Sequence, residues 1–222
     1  FDIRKYEQLI IDIITDNRIR FHLKQLTIAF LGFVQEPEKE EKEIAKKVLF
    51  NTEFELLFLE SLFSNEWISF AMEEGLIQRY YELKEPERIN TVFRALTQNS
   101  ENSKDLILDY LFTLVPDESN HYFINRILWF QNTWNSRTIE LFKQVKQQLK
   151  QDVYQYCDSL KKALIVDQKW VFSEYKQNLL QRTEKINNTV RDMNFDHAEE
   201  EFLKELFAFN ANEALLLCEI VL

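Results

Sequence analysis

Glycine is nearly missing from this chain: 222 residues hold two, along with three prolines, two cysteines and three histidines. Tight turns that need a positive φ lean on glycine, whereas links between helices can be made with Asn, Ser and Asp. The shortage therefore points to helices. It also excludes nucleotide chemistry from this segment. A phosphate-binding loop or a dinucleotide fingerprint needs several closely spaced glycines, and Gly32 and Gly75 stand far apart.

Histidine and cysteine are too scattered for metal or nucleophile chemistry. His22, His121 and His197 fall on three separate predicted helices, and no HExxH, metal-ligand CxxC or GxSxG occurs. A di-metal carboxylate bundle needs inward ExxH pairs, which the sequence also lacks. Carboxylates are plentiful at Glu38, Glu40, Glu41 and Glu43 and again at Glu199, Glu200 and Glu201. Read as solvated helix faces, they have no cleft to separate their pKa values for acid-base work. The expectation is no catalytic, cofactor or metal site.

Positive charge is short as well: 27 Lys and Arg stand against 37 Asp and Glu, a net charge of −10. Phosphate backbones and anionic bilayers both select basic surfaces, so neither nucleic acid nor a membrane is an expected partner. The longest apolar runs, such as Leu26 to Val34 with Thr27 and Gly32 inside, fall far short of the roughly 18 residues of a membrane span. Asp2, Arg4, Lys5 and Glu7 interrupt any signal-peptide core at the start. Cys157 and Cys218 have no motif spacing, which fits a reducing compartment and leads us to expect the cytoplasm. Asn187-Asn188-Thr189 fits a glycosylation sequon, a pattern that an Asn-rich chain produces by chance. The chain opens on Phe1 and closes on the apolar run Ala214 to Leu222, and it reads as an excerpt of a longer protein.

What is abundant is apolar and charged surface together: 45% hydrophobic and 29% charged residues, with 19 Phe, the balance of a folded soluble protein. The length allows one large domain or two small ones. We expect a single helical-repeat domain over 1–222, with a possible sub-boundary in the polar stretch 98–103.

Apolar residues recur at three-and-four spacing almost throughout. Ile3, Tyr6, Leu9, Ile10 and Ile13 mark a first helix to about Ile14, and a second runs from about Arg18 to Val34, giving a hairpin. An acidic-then-basic helix follows from Glu38 to Phe50, with Glu38-Lys42 and Glu43-Lys47 at i,i+4. Thr52 before Glu55 reads as a capping box, Gly75 as a left-handed stop, and Pro86 as the first residue of a helix. Later, Asp117, Asp167, Asp196 and Asn210 read as helix starts, Asn132 to Ser136 as a turn, and 137–166 as either one long helix or two. Period-two alternation is scarcely visible. About eleven to thirteen short helices result. They imply an all-α fold of stacked antiparallel hairpins, as a HEAT-like α-α superhelix or a compact irregular bundle. One internal echo accompanies this pattern: Trp67-Ile68 with Gly75 and Leu76 to Arg79 matches Trp170-Val171 with Asn178 and Leu179 to Arg182.

Trp129, Phe130 and Trp134 bracket the turn at Asn132 to Ser136. Large rings beside a turn either wedge hairpins together or form a binding hot spot, and these are the candidate interaction residues. Trp67 and Trp170 are expected to pack between layers.

The stretch Ile19-Arg20-Phe21-His22-Leu23-Lys24-Gln25-Leu26, then Phe30-Leu31-Gly32, Glu36-Pro37, Glu40-Glu41 and Asn65-Glu66-Trp67, resembles helical-repeat regions of large bacterial STAND or NACHT-type signal-transduction ATPases. The resemblance covers about Arg18 to Tyr81. It implies a regulatory or ligand-sensing scaffold, used in some members for defence against phage, that meets a protein partner or other domains of its own chain. No catalytic residue carries over, because the ATPase motifs are absent. The competing expectations are a structural spacer or oligomerisation module, and a divergent all-helical hydrolase with a His-carboxylate pocket.

Overall fold

The computed structural model describes residues 6–32, 34, 37, 39–50, 53–62, 65–186 and 197–218. Within them lie fourteen α-helices and no strand, so the protein is all-α over the described residues. Thr52, Glu36, Glu38, Asp196 and the triplet Asn187-Asn188-Thr189 lie outside them. Two compact units divide the chain, Phe1–Ile107 and Leu108–Leu222. The division falls within a helix, Lys104–Leu114, just beyond the polar stretch 98–103.

The first unit contains α1 (Glu7–Thr15), α2 (Phe21–Gly32), α3 (Lys39–Leu49), α4 (Glu55–Glu60), α5 (Asn65–Glu73), α6 (Leu76–Glu82) and α7 (Pro86–Gln98), with α8 (Lys104–Leu114) crossing its end. Helix α2 packs on α1 and α4, and α4 packs on α7. Pro86 stands at the first turn of α7, where its missing N–H costs nothing. Gly75 joins α5 to α6 at φ 68°, the left-handed conformation its sequence position implied. Gly32 has a different job. A Cβ there would sit 1.9 Å from the carbonyl oxygen of Ser61, so the end of α2 can approach the end of α4 only as glycine. Beneath that contact the Trp67 ring is fully buried, edge-on to Phe58 with centroids 5.2 Å apart, and its Nε1 donates to the Leu31 carbonyl at 3.1 Å. Buried Asn99 closes the far side by donating to the carbonyls of Leu62 and Ala95, at 3.0 and 2.8 Å.

The second unit contains α9 (His121–Phe130), α10 (Ser136–Val145), α11 (Val153–Leu164), α12 (Gln168–Ile186), α13 (His197–Phe209) and α14 (Ala211–Cys218). Side-chain caps set most of these starts, each orphan backbone N–H finding an Asx oxygen. Asn135 accepts from Thr138 at 2.9 Å, Asp152 from Gln155 at 3.1 Å, Asp167 from Trp170 at 3.1 Å and Asn210 from Glu213 at 3.3 Å. Asp117 caps a short 3-10 helix, Glu118–Asn120, that precedes α9 rather than α9 itself. The stretch read as one helix or two is two: α10 ends at Val145, a 3-10 segment Lys146–Gln151 follows, and Asp152 starts α11. Consecutive helices pair, as α9 with α10, α11 with α12 and α13 with α14, while α9 packs on α11, α11 on α13 and α12 on α14. The Trp echo is only half kept. Gly75 breaks a helix, but Asn178 lies inside the continuous α12, because nothing at Asn178 supplies a glycine's freedom and the α12 hydrogen bonds carry on through it.

Candidate functional site

Two of the three predicted interaction residues, Trp129 and Phe130, stand at the end of α9, where α9 meets α11 in the second unit. Phe130 is exposed at the end of α9, and Trp129 beside it is half-buried, with the two ring centroids 5.2 Å apart. The Trp129 Nε1 donates to Asp158 Oδ2 at 2.8 Å, which holds the indole, and Lys162 donates to the Trp129 main-chain carbonyl, so two residues of α11 anchor this residue, one by its ring and one by its backbone. Tyr154, also exposed, meets Trp129 edge-on at 6.4 Å. One turn pair earlier on α9, exposed Tyr122 lies under the Arg126 guanidinium at 5.9 Å. Between Trp129, Phe130, Asn132, Asp158 and Lys162 lies a hollow of about 200 Å3, the size of one large side chain.

Trp134 does not share this surface. Its ring is 8% exposed, edge-on to Phe142 at 5.1 Å, with Nε1 donating to the Leu128 carbonyl at 3.2 Å. It wedges α9 against α10, because the turn after α9 folds the indole inward where its N–H finds a buried carbonyl. Trp170 is half-buried between Phe142, at 6.0 Å, and the Lys143 ammonium, 4.8 Å from its ring centre.

No family model, curated protein or solved structure matches the chain. The reading of function therefore rests on the chain's own residues. Among the described residues, no helix is long and apolar enough to cross a membrane, and no group of three or more His, Cys, Asp or Glu is placed to hold a metal ion.

The carboxylates depart from their sequence reading in part. Glu43 and Glu200 are exposed, as expected of solvated faces, but Glu41 and Glu199 are buried. Burial follows from packing: Glu199 opens α13 where it meets α11 and α12, and its Oε1 accepts from the Tyr175 hydroxyl at 2.7 Å and from Arg182. The same arrangement recurs twice. Glu55 accepts from Tyr80 at 2.9 Å and from Arg79, and Glu174 accepts from Tyr156 at 3.0 Å and from Lys146. Arg79 and Arg182, the matching ends of the Trp echo, thus serve the same purpose in the two units. Each buried carboxylate is held by a phenol and a cation and ties neighbouring helices together, a structural use of charge.

The phenols report this. Burial first, and the adjacent Glu55 second, push Tyr80 up to about 12. Burial and then Glu174 raise Tyr156, and burial and then Glu199 raise Tyr175. An unfolded tyrosine loses its proton near pH ~10, so above that pH the unfolded chain holds fewer protons than the fold and stability falls with rising pH. For Tyr80 this contribution is complete below about 10 and gone above about 12. Phenolate absorbance in an alkaline titration should show at least three of the eight tyrosines ionising only as helicity is lost. Eight reversible ionisations near pH ~10 with helicity intact would contradict it.

A second surface lies in the first unit, on the α1–α2 hairpin. Tyr6, Leu9, Ile13, Leu23, Leu26 and Phe30 line an apolar groove of about 510 Å3, and all of them except Ile13 are exposed. The sequence signal for it was available: α2 is apolar on both sides, with Ile28 and Leu31 fully buried and Leu23, Leu26 and Phe30 facing away. An apolar stripe beyond what one hairpin can bury marks a surface that meets something else.

Proposed function

We propose that the chain is a non-catalytic helical scaffold that binds a protein partner through the α9–α11 face. The observation that carries this reading is the pair of exposed rings Phe130 and Tyr154 against a half-buried Trp129 fixed by Asp158 and Lys162, with exposed Tyr122 two turns earlier on the same helix. Trp and Tyr are enriched in binding hot spots and combine large contact area with few rotatable bonds, and a pre-fixed indole loses little entropy on binding. A partner would seat one apolar anchor side chain in the hollow beside Trp129. Paired hairpins, with α9, α11 and α13 stacked in succession, support a HEAT-like reading of the second unit.

The resemblance over 18–81 extends the proposal to the sensing or docking part of a larger cytoplasmic ATPase of the kind used in defence against phage. A P-loop in the flanking reading frame would support that extension, and a frame without one would end it. The chain's net charge of −10 supports a protein partner over nucleic acid.

Selection of binders from a proteome-derived peptide library against the 222-residue chain tests the docking face. Phe130→Ala and Tyr154→Ala should each weaken the selected peptides about ten-fold or more, roughly 1.4 kcal/mol, with helicity unchanged. Peptides indifferent to both substitutions would reject it.

A further inference from the structure

The groove on the α1–α2 hairpin has two properties that together specify an occupant. The first is its period. Tyr6, Leu9 and Ile13 on one side and Leu23, Leu26 and Phe30 on the other each follow the three-then-four spacing of a heptad seam. Both helices therefore offer the holes into which helical knobs fit, and two such seams side by side are half of a four-helix bundle. Leu26 is 63% exposed, so the seam is unfilled where it is most apolar.

The second property is charge. Tyr6 to Asn17 carries Glu7, Asp12 and Asp16 with no Lys or Arg, whereas Arg18 to Gly32 carries Arg18, Arg20 and Lys24 with no Asp or Glu; Asp16 already pairs with Arg18 at 2.7 Å and Lys24 is buried, which leaves Asp12 and Arg20 as exposed opposite charges on the two arms. The hairpin thus has an acidic arm and a basic arm, and the two sum to zero in a chain of net charge −10. Two copies of so acidic a chain repel wherever their acidic surfaces meet, and this hairpin is a place where they need not. A two-fold axis running along the helices lays the acidic arm of one copy on the basic arm of the other. An isologous contact of this kind is self-complementary, which a groove for an unrelated acidic or basic helix need not be.

We propose that this chain forms a homodimer in which the α1–α2 hairpins of two copies close a four-helix bundle, Leu9, Leu23, Leu26 and Phe30 filling the shared core and α1 of each copy lying on α2 of the other. The dimer uses the first unit alone and does not depend on the α9–α11 face.

Sedimentation equilibrium of the 222-residue chain over a range of concentrations tests this. The expected result is a monomer–dimer equilibrium whose dissociation constant rises at least ten-fold on Leu26→Lys. Because Leu26 is exposed, that variant should keep the helicity of the parent. Arg20→Glu or Asp12→Lys alone should also weaken the dimer, and the two in one chain should restore it. A parent that stays monomeric at every concentration overturns the proposal, including one whose groove accepts a helical peptide of another sequence. So does association that Leu26→Lys leaves unchanged, or a charge swap that fails to restore it.

Discussion

Lys146→Ala is expected to lower the stability of the protein by about 3–5 kcal/mol, the range for removing one member of a buried ion pair. The Glu174 side chain is 4% exposed and that of Lys146 14%, and the Tyr156 hydroxyl joins them from α11. With Lys146 cut back, Glu174 loses this cation while its charge stays out of water. The pair one turn away provides the control. Lys143 meets Asp167 at 3.1 Å with both side chains more than a third exposed, and such a pair is worth at most about 1 kcal/mol. Urea unfolding followed by circular dichroism should therefore separate two lysines of similar sequence context. A loss at Lys146 no larger than that at Lys143 would show that Glu174 does not depend on it.

Trp67→Ala should cost a similar amount, about 3–5 kcal/mol, by a different route. The ring is fully buried, edge-on to Phe58 at 5.2 Å and to Phe70 at 5.9 Å, and Gly32 and Ser61 meet too closely for the backbone to close over the cavity. Trp67→Phe splits the loss. It refills most of the volume but removes the indole donor from the Leu31 carbonyl, which still accepts from the Val34 N–H at 3.1 Å, a cost of about 0.5–1.5 kcal/mol. If Phe were as damaging as Ala, the hydrogen bond rather than the packing would hold this core.

These two sites also mark how far the sequence could be read. The helices follow from apolar spacing, and the turn chemistry at Gly75, Pro86, Asn135 and Asp167 sits where local rules put it. Local rules fail where a distant contact decides. Gly32 ends α2, but that it also serves as a spacer against Ser61 is not written in its neighbours; Glu199 looked like one of an exposed acidic run and is buried against Tyr175 and Arg182. Trp129 and Phe130 were legible as candidate surface because rings beside a turn have less assured burial, but which of the neighbouring tryptophans would turn inward depended on the Leu128 carbonyl. The α1–α2 groove was missed although its period was visible, since an apolar stripe says that burial is needed and not whether the same chain provides it.

In the proposed function, the second unit works by docking a partner on the rings of α9 and α11. Chemical-shift mapping of a library-selected peptide on the full chain tests it most directly. The account predicts shifts concentrated at Tyr122, Trp129, Phe130, Tyr154 and the Trp129 indole N–H held by Asp158. Shifts that leave these residues unmoved and gather elsewhere on the chain would contradict it.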